Sequence, residues 1–146
     1  TTIEDTTVTE TDAPYVTSFT PTGGATGISR TADIIVTFNE SMDTDTITTT
    51  DATSCTGTFL LSKCGNGGDN CNNAFLSSNS QPCVPMSATT PTAANDNKTF
   101  TIDTSSTLGQ KLYYMIKVTT GAKDTSGNAL NDGLSDNEST AYFRTR

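Results

Sequence analysis

The chain of 146 residues contains no histidine and no tryptophan, and it has only eight basic residues but sixteen acidic ones. Absence of histidine excludes Ser-His-Asp and Cys-His catalytic arrangements and removes the commonest metal ligand. A formal net charge of -8 has the wrong sign for the phosphate contacts that dominate nucleic-acid binding. No run approaches the roughly 18 apolar residues that a membrane helix needs. These absences argue against a nucleic-acid partner, a membrane span and most familiar hydrolase chemistry.

What the chain has in excess is threonine, serine and asparagine, which together occupy 57 of its 146 positions. Threonine is β-branched and suits a pleated strand, whereas serine and asparagine form local hydrogen bonds in turns. This composition predicts an all-β domain of short strands joined by polar loops. A disordered chain is the competing interpretation, but a disordered segment has no reason to carry alternating apolar runs.

Alternation is clearest in residues 32–38 and 111–118, where every second apolar side chain falls on one face. In the first of these segments, that face holds Ile34, Val36 and Phe38. Further strands are predicted at residues 15–19, 59–61, 84–88, 99–103 and 141–145. Regular turn signals between them predict an immunoglobulin-like antiparallel β-sandwich of seven to eight strands. A closed barrel is the alternative.

Four cysteines, at positions 55, 64, 71 and 83, indicate two disulfides rather than a zinc site, because their spacing lacks the paired CxxC of structural zinc sites. Disulfides in turn indicate a secreted protein. Three pairings are open from sequence alone. We favour Cys55–Cys83 nested around Cys64–Cys71, since both pairs then lie across one enlarged hairpin centred near residue 68. Residues 58–61 and 74–76 would be its strands.

The two halves of the chain carry motifs of a known family. The motifs are APYVTSFTP at residues 13–21, GATGI at 24–28, IVTFNESMD at 35–43, LYYMIKV at 112–118, AKDTSGNAL at 122–130 and YFRT at 142–145. In this order they resemble a bacterial Ig-like (Big) domain of the S-layer type. The resemblance covers residues 13–146 and leaves 1–12 as an N-terminal extended segment. The departure from the family is the cysteine-rich stretch 55–83, which is longer than the family's plain hairpin.

The resemblance implies a non-catalytic, extracellular or cell-surface module that serves as a building block of a surface layer, fibre or adhesin. Its partners would be proteins, either further copies of itself or adjoining domains. An alternative is a ligand-binding or adhesion domain that uses the Cys55–Cys83 hairpin as its recognition surface. Paired acids could also cleave glycosides, but the chain has no tryptophan to form a sugar platform and many of its acids fall in turns.

Acidic and amide side chains follow two of the predicted strands, those at residues 32–38 and 111–118. With alternating strand directions, both strands end at the same end of the sandwich, which brings the loops 39–45 and 124–128 together. Oxygen ligands in such a cluster suit Ca²⁺. The candidate ligands are Glu40, Asp43, Asp124 and Asn128. The competing interpretation is that these residues only close turns and that Gly127 only supplies a positive φ.

Residues 1–12 precede the family motifs and contain neither glycine nor proline. Their threonines, with Ile3 and Val8, favour an extended strand that could add to a sheet edge of a neighbouring copy and form head-to-tail polymers. Four acids among twelve residues instead favour a solvated linker. Ile3 and Val8 are the candidate interaction residues of the first interpretation.

Overall fold

A computed structural model describes residues 12–65, 83–131 and 139–146. Within these ranges, eight strands form two sheets of four. The strands are β1 (Val16–Thr20), β2 (Ala25–Ile28), β3 (Ile34–Phe38), β4 (Phe59–Gly65), β5 (Thr92–Ala94), β6 (Thr99–Ile102), β7 (Tyr113–Val118) and β8 (Ser139–Thr145). The single helical element in the described part is a 3-10 turn at Thr44–Thr46.

The strand order is β1-β3-β6-β5 in the first sheet and β2-β8-β7-β4 in the second. All pairs are antiparallel except β2 and β8, which run parallel. The predicted all-β, immunoglobulin-like sandwich is confirmed, with the parallel β2–β8 pair as a local exception to the antiparallel pattern. Two separate sheets replace the barrel alternative.

The core lies between the sheets and follows the predicted alternation. Along β3, residues Ile34, Val36 and Phe38 are buried and the residues between them are half-buried. Phe38 meets Phe100 edge to face with the ring centroids 5.8 Å apart. Burying each side chain of this size stabilises the fold by roughly 1.5–3 kcal/mol. On β7, Tyr114, Ile116 and Val118 are buried on the predicted face, and Met115 on the other face is buried as well, in a small cluster with Cys64.

The predicted strand at residues 84–88 was wrong. This segment makes only isolated bridges, Cys83 with Ser62 and Met86 with Thr104. Pro85 interrupts it, and proline cannot donate to a strand ladder. Conversely, the prediction missed β2 and β5, because their glycine, threonine and alanine residues carry no alternation of apolar and polar side chains.

The predicted disulfide between Cys55 and Cys83 is confirmed, with the two Cα atoms 5.2 Å apart. The hairpin register from which we derived it was wrong. Cys83 stands opposite Ser62 on β4, whereas Cys55 lies in the loop that precedes β4. The backbone N–H of Cys83 donates to the carbonyl of Thr53 at 2.9 Å, which draws that loop alongside. The bridge therefore ties a loop to the sheet edge.

The second predicted bridge, Cys64–Cys71, stays a prediction because Cys71 lies outside the described residues. Cys64 itself is buried and disulfide-bonded. The predicted hairpin strand 74–76 and most of the hairpin tip also lie outside the described residues.

Candidate functional site

The loops that follow β3 and β7 meet at one end of the sandwich, as the sequence predicted. Met42 and Asp124 form an isolated antiparallel bridge, and the backbone N–H of Asp43 donates to the carbonyl of Lys123 at 2.9 Å. Both strands run towards this end, so their following loops are adjacent. We call this region the acidic end and define it as residues 12–15, 39–46, 95–98 and 119–131.

The turn between β5 and β6 is a part of the acidic end that sequence reasoning missed. Its carbonyls accept hydrogen bonds from Met42 N–H at Asn97 (2.9 Å) and from the Ser41 hydroxyl at Asp96 (2.7 Å). Asn95, Asp96 and Asn97 all have φ between 56° and 59°. Asparagine and aspartate tolerate this left-handed region better than other non-glycine residues. The run of these three residues was therefore the feature of the sequence that could have predicted the turn.

The chain enters the first sheet at the same end. The backbone N–H of Tyr15 donates to Oδ1 of Asn39 at 2.8 Å, and the N–H of Asn39 donates to the carbonyl of Tyr15 at 3.0 Å. Asn131 N–H donates to the carbonyl of Pro14 at 3.0 Å. These bonds fasten the segment before β1 to the loops after β3 and β7.

Asp124 is the centre of this end and is 1% exposed. Its Oδ1 accepts hydrogen bonds from the backbone N–H groups of Ser126 (2.9 Å) and Asn128 (2.8 Å), and its Oδ2 accepts one from the Asn128 side-chain amide (2.9 Å). Gly127, with φ of 88°, lets the chain turn tightly around the carboxylate. Asp124 thus closes the turn that carries it.

Burial raises the pKa of Asp124, but hydrogen bonds from the Asn128 side chain, from the backbone of Asn128 and Ser126, and with the Glu40 side chain together hold that pKa below its ordinary value. Asp124 is therefore an anion at neutral pH. Glu40 and Asp124, two of the four predicted ligands, are brought into contact across the two loops.

Asp43 has a local role as well. Its Oδ1 accepts the backbone N–H of Asp45 at 3.0 Å and so caps the 3-10 turn that follows. Among residues 12–65, 83–131 and 139–146, no group of three or more histidine, cysteine, aspartate or glutamate side chains is arranged to hold a metal ion. The predicted residues do come together, but the hydrogen bonds of Asp43 with Asp45 and of Asp124 with Ser126 and Asn128 close turns. Calcium stays a prediction.

The other predicted interaction residues, Ile3 and Val8, lie outside the described residues, so no contact is assigned to them. In the part of the chain that is described, no helix has both the length and the apolar character needed to cross a membrane.

Comparison with known proteins gives one family and a set of similar folds. The family model described as bacterial Ig-like domain matches residues 10–145. Domains of the surface-layer protein SbsC are similar in structure. The N-terminal part of SbsC gives a TM-score of 0.55 at 18% identity, covering 92% of this chain and 24% of that chain. Domains 1–6 of SbsC give 0.53 at 18% identity, covering 92% and 14%.

CopC from Methylosinus trichosporium OB3b is similar as well, with a TM-score of 0.52 at 10% identity and coverage of 90% of this chain and 92% of that one. At these identities the likeness concerns the fold. The chain spans between 14% and 24% of the length of the SbsC chains it matches. No curated protein sequence matches the chain.

Proposed function

This chain belongs to the bacterial Ig-like domain family, and on that premise we propose that it is a non-catalytic structural module of an extracellular assembly such as a surface layer, fibre or adhesin. The observation that carries the proposal is the extent of the family match, because residues 10–145 include all eight strands, the Cys55–Cys83 bridge and the acidic end. Similar folds in a surface-layer protein support a location at the cell surface.

The construction of the sandwich supports a load-bearing role. Both sheets contribute fully buried aromatic side chains to one continuous core, among them Phe38 and Phe143. The Cys55–Cys83 bridge closes a loop of 28 residues, and a bridge of this kind stabilises a domain by about 2–4 kcal/mol. A stiff, disulfide-tied block transmits force between its two ends with little internal rearrangement.

Negative-stain electron microscopy of the purified protein, with calcium and with a chelator, tests this function. Filaments, sheets or strings of particles that grow with protein concentration are the expected result. Dispersed particles at every concentration and in both solutions would remove the structural-assembly proposal. An enzymatic activity that remains with the protein after purification to homogeneity would contradict the proposal that the module is non-catalytic.

A finer proposal concerns polymerisation through residues 1–12. Strand addition needs an accepting edge. Within the described residues the outer strands are β1 and β5 in the first sheet and β2 and β4 in the second, and β4 is partly covered by its bridge from Ser62 to Cys83. β5 is exposed along all of its three residues, Thr92–Ala94. An exposed edge of this kind offers unpaired backbone groups to a strand from a neighbouring copy.

Deletion of residues 1–12 is predicted to convert a polymer to monomers, since the donor strand with Ile3 and Val8 is then lost. Multi-angle light scattering measures the change in molar mass. A variant with both Ile3 and Val8 replaced by serine keeps the length and the acidic residues of the segment. It therefore separates the loss of these two apolar side chains from a change in length or charge. An unchanged molar mass after deletion would identify the segment as a linker.

Calorimetric titration of the calcium-stripped protein decides between the two interpretations of the acidic end. A site built from Glu40, Asp43, Asp124 and Asn128 would give measurable heat and, at about a hundredfold excess over Kd, raise Tm by roughly 5–10 °C. The matched control is Asp45→Asn, which removes a neighbouring charge outside the proposed ligand set. Absence of both heat and a Tm rise would leave turn closure as the whole role of these residues.

A further inference from the structure

The eight basic residues are unevenly distributed along the strand direction of the sandwich. Five of them lie towards the end opposite the acidic end: Arg30, Lys63, Lys111, Arg144 and Arg146. Backbone hydrogen bonds hold this region together, since Leu108 N–H donates to the carbonyl of Arg30 (2.9 Å) and Lys111 N–H donates to that of Arg146 (3.2 Å). We call this region the basic end and define it by these five residues.

Two of the guanidinium groups at the basic end are held in place. The Arg144 guanidinium carbon lies 5.6 Å from the centre of the Tyr113 ring, a cation–π geometry. The Nε of Arg30 donates to the carbonyl of Leu108 at 2.7 Å. Because little side-chain freedom remains to be lost, positioned arginines bind carboxylates at lower entropic cost than mobile lysines.

A cleft opens beside these charges. It has a volume of about 220 Å³ and lies between the segment 83–85 and the loop 106–109, with Lys63 and Tyr114 on its walls. The basic end therefore combines positive charge with a concave surface.

The acidic end carries the opposite charge. Six of the nine described acidic residues lie there: Asp12, Glu40, Asp43, Asp45, Asp96 and Asp124. Lys98 and Lys123 are the two basic residues within it. At the far end of the first sheet, Asp33 precedes Ile34 and Asp103 follows Ile102, so these two acidic residues lie at the same end as the five basic ones. They offset part of the positive charge there, and the five basic residues still outnumber them.

We propose that the basic end is the docking surface for the acidic end of a second copy of this chain, so that copies associate head to tail. The argument is charge complementarity between two surfaces that lie at opposite ends of one rigid sandwich. Because the two surfaces differ, the contact is heterologous and repeats without closing, which produces a linear row. The proposal rests on the assembly function proposed above and names the surfaces and the partner for it.

Charge reversal at each end tests the proposal. The variant Lys111→Glu/Arg146→Glu lowers the formal charge of the basic end by four, and Asp45→Lys/Asp96→Lys raises the formal charge of the acidic end by four, which cancels the excess of acidic residues described there. Sedimentation velocity at low ionic strength, with a chelator present, should show each variant alone associating at least about tenfold more weakly than the unmodified chain. An equimolar mixture of the two variants should recover association, because each then offers the surface that the other needs. About 0.5 M salt should weaken association of the unmodified chain.

The matched control is Lys98→Glu/Lys117→Glu, which changes the net charge by the same amount away from the basic end. Because Lys98 lies within the acidic end, its replacement adds negative charge there, so this variant should associate at least as strongly as the unmodified chain. Tm measurements confirm that all variants fold. Association that is unaffected by Lys111→Glu/Arg146→Glu, or no recovery in the mixture, would overturn the docking surface while leaving the assembly function intact. A chain that stays monomeric before any substitution would instead overturn both.

Discussion

Replacing Phe143 by alanine is expected to lower the free energy of unfolding by about 3–5 kcal/mol. Phe143 is 0% exposed and lies on β8, an inner strand of the second sheet. Its ring stacks on that of Tyr114 with the centroids 5.8 Å apart. Alanine removes the buried ring, leaves a cavity between the sheets and deprives the Tyr114 ring of its stacking partner. Domains of this size have about 5–15 kcal/mol of stability in total, so the loss is a large share of it.

Urea denaturation with the disulfides intact measures this effect. The matched control is Tyr142→Ala, the adjacent residue on the same strand, whose side chain is 42% exposed and points to the opposite face. Among the aromatic side chains of the described residues, Tyr142 contacts only Tyr113, with the ring centroids 6.2 Å apart. Its replacement should therefore lower the free energy of unfolding by about 1 kcal/mol or less. Equal losses for the two variants would contradict the proposed core.

Replacing Asp124 by alanine is expected to lower the free energy of unfolding by about 2–4 kcal/mol. The substitution leaves the backbone N–H groups of Ser126 and Asn128 and the Asn128 amide without their buried acceptor. It also removes the side-chain hydrogen bond with Glu40 that joins the two loops. Asp124→Asn keeps the shape and one acceptor oxygen and should lose less. Thermal unfolding compares the three proteins.

The pH dependence of this loss follows from the lowered pKa of Asp124. A carboxyl whose folded-state pKa lies below its unfolded value contributes stability above the unfolded pKa, and that contribution disappears as the pH falls through the folded pKa. The chain should therefore lose stability on acidification below about pH 4, and Asp124→Asn should lose less over the same interval. Identical acid unfolding curves for the two proteins would contradict the assignment.

Asp33 should behave in the opposite direction. The hydrogen bond with Asp103, together with burial and the charge of Asp103, raises its pKa. A carboxyl with a raised pKa binds its proton more tightly in the folded state, so its contribution to stability falls as the pH rises. Asp124 and Asp33 thus change the free energy of unfolding in opposite directions as the pH rises. The slope of that free energy against pH shows which of the two effects is larger at a given pH.

Much of the fold could be predicted from the sequence where side-chain periodicity is strong. The alternation in β3 and β7 identified the buried face of each strand, because a strand with one dry side must place apolar residues at every second position. The family motifs gave the order of the elements. The strands β2 and β5 lack that alternation, and their pairing partners lie far away in sequence. Only the assembled sheets reveal them as strands.

The candidate site was predictable to a similar degree. The alternating direction of successive strands was enough to predict that the loop of Asp43 lies beside that of Lys123, because strands that run in the same direction end on the same side. Strand direction does not predict which side chains contact each other. The structure decided that Asp124 is buried under three hydrogen bonds, and that the turn at Asn95–Asn97 joins the same end.

The sequence by itself determined the all-β class, the buried faces of the main strands, and the meeting of the loops after β3 and β7. These properties depend on local periodicity, strand direction and residue chemistry, which are written along the chain. The tertiary structure alone decided the register that places Cys83 opposite Ser62, the burial of Asp124 and the separation of charge between the two ends. Each of these depends on which distant segments pack together, and the packing of the two sheets selects one such arrangement.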